Sequence, residues 1–433
     1  MSDVRARRDE DAKPRGEATN RIAESVGTRC CVVGAGPAGA VLALVLARSG
    51  VPVVLLEAHE DFDRDFRGDT LHPSALEIVD ELGLADRLLA LRHTKIHTAN
   101  LMTTNGLFTV ADFRRLKTKF PFIALMPQVE FLNFVVEEAK RYPAFQLRLG
   151  ARVEELIEEG DRVRGVRYRD GEGAWREVRA ELTVGADGRG SRVRRLSGLE
   201  AGKLKTSPPM DVLWFRVPRA AGDPQGVVAR FGGGHAVVML DRLEEWQVGY
   251  IILKGTYQQV RAAGLEALRR SFAEIAPEFA DRAERLKDWR QVSMLSVESS
   301  RLKKWYRTGL LLVGDAAHVM SPFGGVGINY AIQDAVAAAN ILADPQRRGD
   351  AITDAQLRSV QRRREFPTRV VQTLQTFAQR IGIANAMRSR RAINIPLPLR
   401  LLLRTPLLRK LPARLIAFGV RTEHVRVGDG GRG

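Results

Sequence analysis

From residue 29 the chain reads as an apolar run at 29–33, a glycine-rich turn, an apolar helical stretch at 38–48 stopped by Gly50, and a second apolar run at 52–56. That order predicts one βαβ unit. Helical periods follow at 73–82 and 129–141, with strand patterns at 145–149 and 153–157. Runs at 162–168 and 176–184 flank the turn signal Asp170-Gly171 and predict a meander. The pattern then changes: 212–217, 226–231, 236–240 and 247–253 read as strands and 265–275 as a helix, which predicts a mixed sheet over 208–297. A buried-strand pattern returns at 309–313, followed by a helix over 327–342 and a long helical period over 354–380 broken by Pro367. Residues 1–28 are rich in charge, Ala and Gly with no apolar period, and are expected to form a disordered tail.

The first turn carries Gly34-Ala35-Gly36-Pro37-Ala38-Gly39, a G-x-G-x-x-G run set between a strand and a helix. In that setting Gly34 permits the tight turn, Gly36 lets a diphosphate approach the backbone, and Gly39 lets helix and strand pack closely. The helix amino end then meets the phosphate charge. Glu57, at the end of the second strand and 18 residues after Gly39, is the carboxylate expected to accept from adenosine ribose hydroxyls. This run by itself does not separate FAD from NAD.

Two later runs do. Gly185-Ala186-Asp187-Gly188-Arg189-Gly190-Ser191-Arg192-Val193-Arg194 follows one strand. Gly314-Asp315-Ala316-Ala317-His318 follows another, with Pro322, Gly324-Gly325-Val326-Gly327-Ile328-Asn329 and Asp334 behind it. Together with the first motif these resemble the fingerprints of the para-hydroxybenzoate-hydroxylase-like flavoprotein family, over residues 29 to about 345. Val326 stands where that family often has Gln.

The resemblance implies an α/β, Rossmann-like FAD-binding fold made of 29–207 and 298–345. A mixed β-sheet substrate domain at 208–297 is inserted into it, and a helical, basic C-terminal segment at 346–433 follows. It places Asp315 on the ribityl hydroxyls of FAD, and the amide groups at the start of the helix (Gly327, Ile328, Asn329) at the flavin pyrimidine edge, where negative charge develops on reduction. Pro322, Gly325 and Gly327 form the flavin-positioning loop. Asp187 and Gly188 lie by the flavin side chain and the approach of the nicotinamide cofactor. Gly314 belongs to the same set, as do Arg67, on the dinucleotide, and Gln128, on the FAD side chain. His318 is given a structural role, since the resemblance assigns it no proton transfer.

The implied activity is that of a monooxygenase. NADPH or NADH reduces FAD, molecular oxygen forms a flavin hydroperoxide, and one oxygen atom passes to an aromatic or polyketide-like substrate. With a single G-x-G-x-x-G run, the reductant is expected to bind transiently beside the flavin. An FAD-dependent epoxidase or reductase acting on a lipid-like or isoprenoid substrate is the alternative, and a non-catalytic flavin scaffold is a reading from another class. The halogenase run Trp-x-Trp-x-Ile-Pro is absent around all five tryptophans (Trp175, Trp214, Trp246, Trp289, Trp305).

Composition narrows the setting. The two cysteines, Cys30 and Cys31, sit side by side in an apolar run and read as buried small residues, with no disulfide framework or metal site. No apolar stretch approaches the roughly 20 residues of a spanning helix, and the charged N-terminus lacks a secretory pattern, so a cytoplasmic setting is expected. The formal charge of +17 is concentrated in 357–433, where 17 basic residues face three acidic ones. No nucleic-acid-binding motif accompanies it. Within that segment, residues 388–426 alternate leucines, arginines and prolines. They read either as an apolar cap on the substrate domain or as a peripheral face for an anionic membrane, and both remain open.

Overall fold

The computed structural model describes residues 22–63, 69–103, 106–206, 208–232, 235–380 and 406–428. Its central strand, Glu24–Val33, pairs in parallel with Val53–Leu56 on one side and with Trp175–Gly185 on the other. The sheet runs on through Phe145–Arg148 at one edge and through Leu310–Leu312 and Tyr306–Arg307 at the other. The strands Arg162–Arg169 and Arg152–Glu159 extend it as an antiparallel meander.

Parallel strands are apolar on both faces because helices cover them. Here the helices Pro37–Arg48, Gln128–Ala139 and Gly327–Arg348 cover one face. Cys30 and Cys31 are fully buried in the middle strand, one toward each face. Burial pushes the Cys30 thiol up to about 12, so it stays neutral.

The second sheet has the order Ser293–Leu295, Met210–Pro218, Glu245–Leu253, His235–Arg242, Val227–Gly232, Thr98–Thr103, Gly106–Asp112. Helix Leu265–Ile275 buries Leu268, Phe272 and Ile275, at helical spacing, against one face. There Phe272 meets Phe215 edge-on at 5.5 Å.

Four boundaries differ from the sequence reading. The first strand starts at Glu24, not 29, since 24–28 pair with 176–180 of Trp175–Gly185; the expected tail over 1–28 is therefore too long at its end. The substrate sheet is not confined to 208–297: Thr98–Thr103 joins it in parallel with Val227–Gly232 and brings Gly106–Asp112 with it. Short, polar-interrupted strands paired across so long a separation leave no periodic trace.

Pro367 does not break its helix, which runs unbroken from Asp354 to Ala378. An interior proline costs about 3 kcal/mol, and a row of buried side chains on that helix offsets it. Gln361 accepts from Trp305 N at 3.0 Å, and Gln372 and Gln375 donate to the carbonyls of Ser300, Val319, Ser321 and Phe323 at 2.8–3.0 Å. The helix expected over 327–342 likewise runs on to Arg348.

Of the C-terminal segment, 381–405 lies outside the described residues. Helix Pro406–Phe418 buries Ala413 and Ala417 with Phe113, Leu116, Ile123 and Leu125, a cluster shared with Ala99, Val227 and Leu240 of the second sheet. No helix among the described residues is long and apolar enough to cross a membrane.

Candidate functional site

The three glycine motifs converge at the carboxyl ends of the parallel strands. Gly34 has φ +97°, and a Cβ there would stand 2.6 Å from the Asp187 Cα and 2.7 Å from the Ala186 carbonyl. A Cβ on Gly39 would stand 1.9 Å from the Gly34 carbonyl oxygen, so the helix rests directly on the turn. Gly36, by contrast, faces open space within 4 Å. It begins helix Pro37–Arg48, whose amino end carries no side-chain cap. Gly34 and Gly39 are thus required by packing, whereas Gly36 leaves a bare, electropositive helix end open to a phosphate group.

Glu57 ends the neighbouring strand. Its Oε2 accepts from Ala35 N at 2.9 Å, and its Oε1 lies 2.6 Å from His59 Nδ1. Oε1 also accepts from His59 N at 3.2 Å, and the carboxylate is fixed toward the glycine turn. Gln128 is the first residue of helix Gln128–Ala139, and its amide donates to Asp69 Oδ1 at 3.1 Å. The other carboxylate oxygen of Asp69 pairs with Arg242 from the second sheet, so this corner ties the two sheets together. Arg67 lies outside the described residues.

Asp187 caps its own turn. Oδ1 accepts from Ser191 Oγ at 2.5 Å, and Oδ2 accepts from the amides of Arg192 and Val193 at 2.7 and 3.0 Å. The adjoining Gly188 has φ +77° and open space around its Cβ position. Buried Arg194 then staples this turn to the next motif, donating to the Arg189 carbonyl at 2.6 Å and the Ala316 carbonyl at 3.0 Å. Asp315 is half-buried beside Arg189, whose Nε lies 3.2 Å from Oδ2.

Gly314, with φ +59°, sits where a Cβ would meet Ala38 at 3.2 Å and Ala331 at 3.4 Å. Its amide donates to Asp334 Oδ2 at 3.1 Å, and His318 Nε2 lies 2.6 Å from the same oxygen. Arg364 Nε reaches Asp334 Oδ1 at 2.8 Å, with both groups fully buried. Burial pushes the Asp334 carboxyl up, but the His318 and Arg364 charges and hydrogen bonds outweigh it and hold the carboxyl below its usual range. His318, whose ring lies tilted against Trp305 with centroids 4.9 Å apart, is thereby part of the frame.

The loop after Pro322 turns on Gly324 (φ +81°) and Gly325 (φ +65°) and leads into helix Gly327–Arg348, whose amino end also lacks a side-chain cap. The Asn329 side chain holds this loop: Nδ2 donates to the Gly325 and Thr70 carbonyls at 3.2 and 3.0 Å, and Oδ1 accepts from His72 N at 2.8 Å. Asn329 therefore positions the loop with its side chain, and only its backbone amide, with those of Gly327 and buried Ile328, remains for a ligand. Thr70, His72 and Arg364 were given no site role in the sequence, and Arg194 stood there only as the end of its run, because their partners are backbone carbonyls or lie in other motifs. The residues present fit FAD: an open glycine turn at one uncapped helix end, carboxylates Glu57 and Asp315 at two strand ends, and a second uncapped helix end beyond a glycine loop. Among the described residues no His/Cys/Asp/Glu cluster suits a metal ion.

Two outcomes follow from this geometry. Burial lowers the His72 pKa from 6.5 to about 4, the bond to the Ile416 carbonyl opposing it only in part. The unfolded chain takes up that proton near pH 6.5 and the folded protein only near 4. The contribution of His72 is therefore complete above 6.5 and is lost as pH falls through about 4, a change of about 3 kcal/mol. Denaturant titrations should show a flatter pH dependence across that window in His72→Gln; identical slopes would contradict the assignment. Replacing Asp315 by Ala removes a charged acceptor worth about 1.5–3 kcal/mol, so the FAD dissociation constant should rise roughly 10- to 150-fold. Unchanged flavin affinity in that variant would count against its placement at the ribityl chain.

Residues 27–374 match the family described as FAD binding domain. The chain is 34% identical over 406 residues to 6-methylpretetramide 4-monooxygenase from Streptomyces rimosus, covering 93% of this chain and 95% of that protein. Among solved structures it resembles the OxyS anhydrotetracycline hydroxylase from Streptomyces rimosus, with TM-score 0.71 and 24% identity over 93% of this chain and 78% of the other. It also resembles pqsL, a probable FAD-dependent monooxygenase from Pseudomonas aeruginosa, with TM-score 0.70 and 22% identity over 84% and 97% of the two chains. At such identities the structural likeness shows the fold alone. The family match over most of the chain and the end-to-end likeness to a named monooxygenase carry the conclusion: this chain belongs to the FAD-binding-domain family, among its FAD-dependent monooxygenases of the para-hydroxybenzoate-hydroxylase-like kind.

Proposed function

We propose that the substrate is a planar, fused-ring phenol or enol of polyketide type, hydroxylated at the expense of NADPH or NADH. The observation that carries this reading is the 34% identity to 6-methylpretetramide 4-monooxygenase along nearly the whole of both chains. FAD, when bound, supplies two-electron exchange with the nicotinamide and the activation of oxygen. What this chain's residues contribute is position, electrostatics and exclusion of water.

The face of the second sheet opposite helix Leu265–Ile275 supports a flat apolar guest. Trp214, Phe231, Val238 and Leu295 are partly buried there around Val212, Ala236 and Ile251. A Cβ on Gly249 would stand 3.0 Å from the Trp214 ring, so the bare glycine lets the indole lie along the sheet. Gln247 follows on the same face, paired with Arg216 as Gly249 is with Trp214. Its Oε1 is buried without a partner among the described residues, and it is free to accept a hydrogen bond from a ring hydroxyl. The uncapped start of helix Gly327–Arg348 offers backbone amides to negative charge on the cofactor. For the C-terminal segment we favour the capping role over lipid contact, because Ala413 and Ala417 are buried under the second sheet.

The test is a panel of single-ring phenols, fused-ring polyketide phenols and isoprenoid quinols, scored by stimulation of NAD(P)H oxidation and by product. The expected result is stimulation with hydroxylated product from the fused-ring phenols. Stimulation by the isoprenoid compounds alone would transfer the assignment to a lipid-like substrate.

A further inference from the structure

The family match ends at residue 374, yet the chain beyond it reaches back to the flavin motifs by two separate routes. In the first, His72 Nδ1 lies 2.7 Å from the Ile416 carbonyl. A carbonyl only accepts, so the imidazole carries its proton on Nδ1. Nε2, which has no hydrogen-bond partner among the described residues, then lies beside the flavin loop, 3.5 Å from where a Gly325 Cβ would stand. The His72 amide donates to Asn329 Oδ1, and Asn329 donates to the Gly325 carbonyl. The route is Ile416, His72, Asn329, Gly325.

In the second, fully buried Glu423 accepts from Arg363 Nε at 2.8 and 2.9 Å and lies 3.5 Å from Arg364 Nη1, which also donates to the Arg421 carbonyl at 3.2 Å. Arg364 in turn holds Asp334, whose other oxygen accepts the Gly314 amide. This route is Glu423, Arg364, Asp334, Gly314. Between the two, Gly419 is bare where a Cβ would stand 2.6 Å from the Tyr330 hydroxyl oxygen, on the same helix as Asn329 and Asp334.

Both routes end on glycines of positive φ, backbone positions that have little stiffness of their own. The Gly327, Ile328 and Asn329 amides assigned to the flavin edge begin two residues after Gly325, and the Asp315 carboxylate assigned to the ribityl chain follows Gly314 directly. A segment that clamps both glycines from outside constrains the direction of these groups.

We propose that residues 406–428 are a positioning element of the flavin site, setting the loop at Gly325 through His72 and the turn at Gly314 through Glu423, Arg364 and Asp334. The segment touches no reacting atom. It acts through the backbone of the two motifs.

The test uses the full chain, with His72→Leu, His72→Asn, Glu423→Gln and a core control, Phe272→Leu, in the helix packed on the second sheet. Three readouts are taken: FAD affinity on reconstitution of the apoprotein, visible circular dichroism of the bound flavin, and product formed per NAD(P)H consumed. Couplings of this kind are worth about 0.5–2 kcal/mol, so His72→Leu and Glu423→Gln should each weaken FAD binding roughly 2- to 30-fold. Both should alter the flavin dichroism and lower the coupling ratio. His72→Asn, whose amide can donate where Nδ1 did, should recover most of the loss. Phe272→Leu should lower thermal stability and leave all three readouts in place. Glu423→Gln keeps its shape and decides the matter if His72→Leu does not fold. Wild-type affinity, dichroism and coupling in Glu423→Gln would overturn the proposal, as would a Phe272→Leu protein that shifts them equally.

Discussion

The site depends on one close approach of backbone to backbone. Helix Pro37–Arg48 can lie on the end of strand Glu24–Val33 only because Gly39 and Gly34 present no side chains, with 1.9 Å between a would-be Gly39 Cβ and the Gly34 carbonyl oxygen. The same turn leans on Ala186 and Asp187, so the first motif fixes the second. Arg194 joins the second to the third through the Ala316 carbonyl. A methyl group on Gly39 would push the helix off the first turn and crowd Ala186 of the second motif.

A buried charge row completes this frame. Asp334, Arg364 and Glu423 are all fully buried, and removing one partner from such a set leaves an uncompensated charge that costs about 3–5 kcal/mol. The row explains part of the basic character of the C-terminal region, since Arg363 and Arg364 serve Glu423 and Asp334 rather than an external anion. Charge concentrated along the sequence is thus partly neutralised in space.

Much of this was legible in the sequence, for a physical reason. Glycines at fixed spacing, strand-end carboxylates and the helices that follow them are local features, and the structure sets Gly34 against Asp187, Gly39 and Glu57 against the Gly34 turn, and Gly314 against Ala38 of the first helix; what these residues bind is what the resemblance implies. What was not legible is non-local. The strand Thr98–Thr103 finds its partner across more than a hundred residues, and Asn329 serves the segment Thr70–His72 from 257 to 259 positions away. The continuity of the helix through Pro367 rests on glutamine side chains capping carbonyls of another element, which no local propensity encodes.

Insertion of one oxygen atom from molecular oxygen into an organic substrate, at the expense of a nicotinamide cofactor, can be followed atom by atom with isotope labelling. Turnover of a fused-ring phenol with NAD(P)H under heavy dioxygen in ordinary water should give product carrying one heavy oxygen, with the second recovered as water. Oxidised product free of the label, or labelled only when heavy water is used, would rule out oxygen insertion and identify a dehydrogenase or hydratase on the same fold.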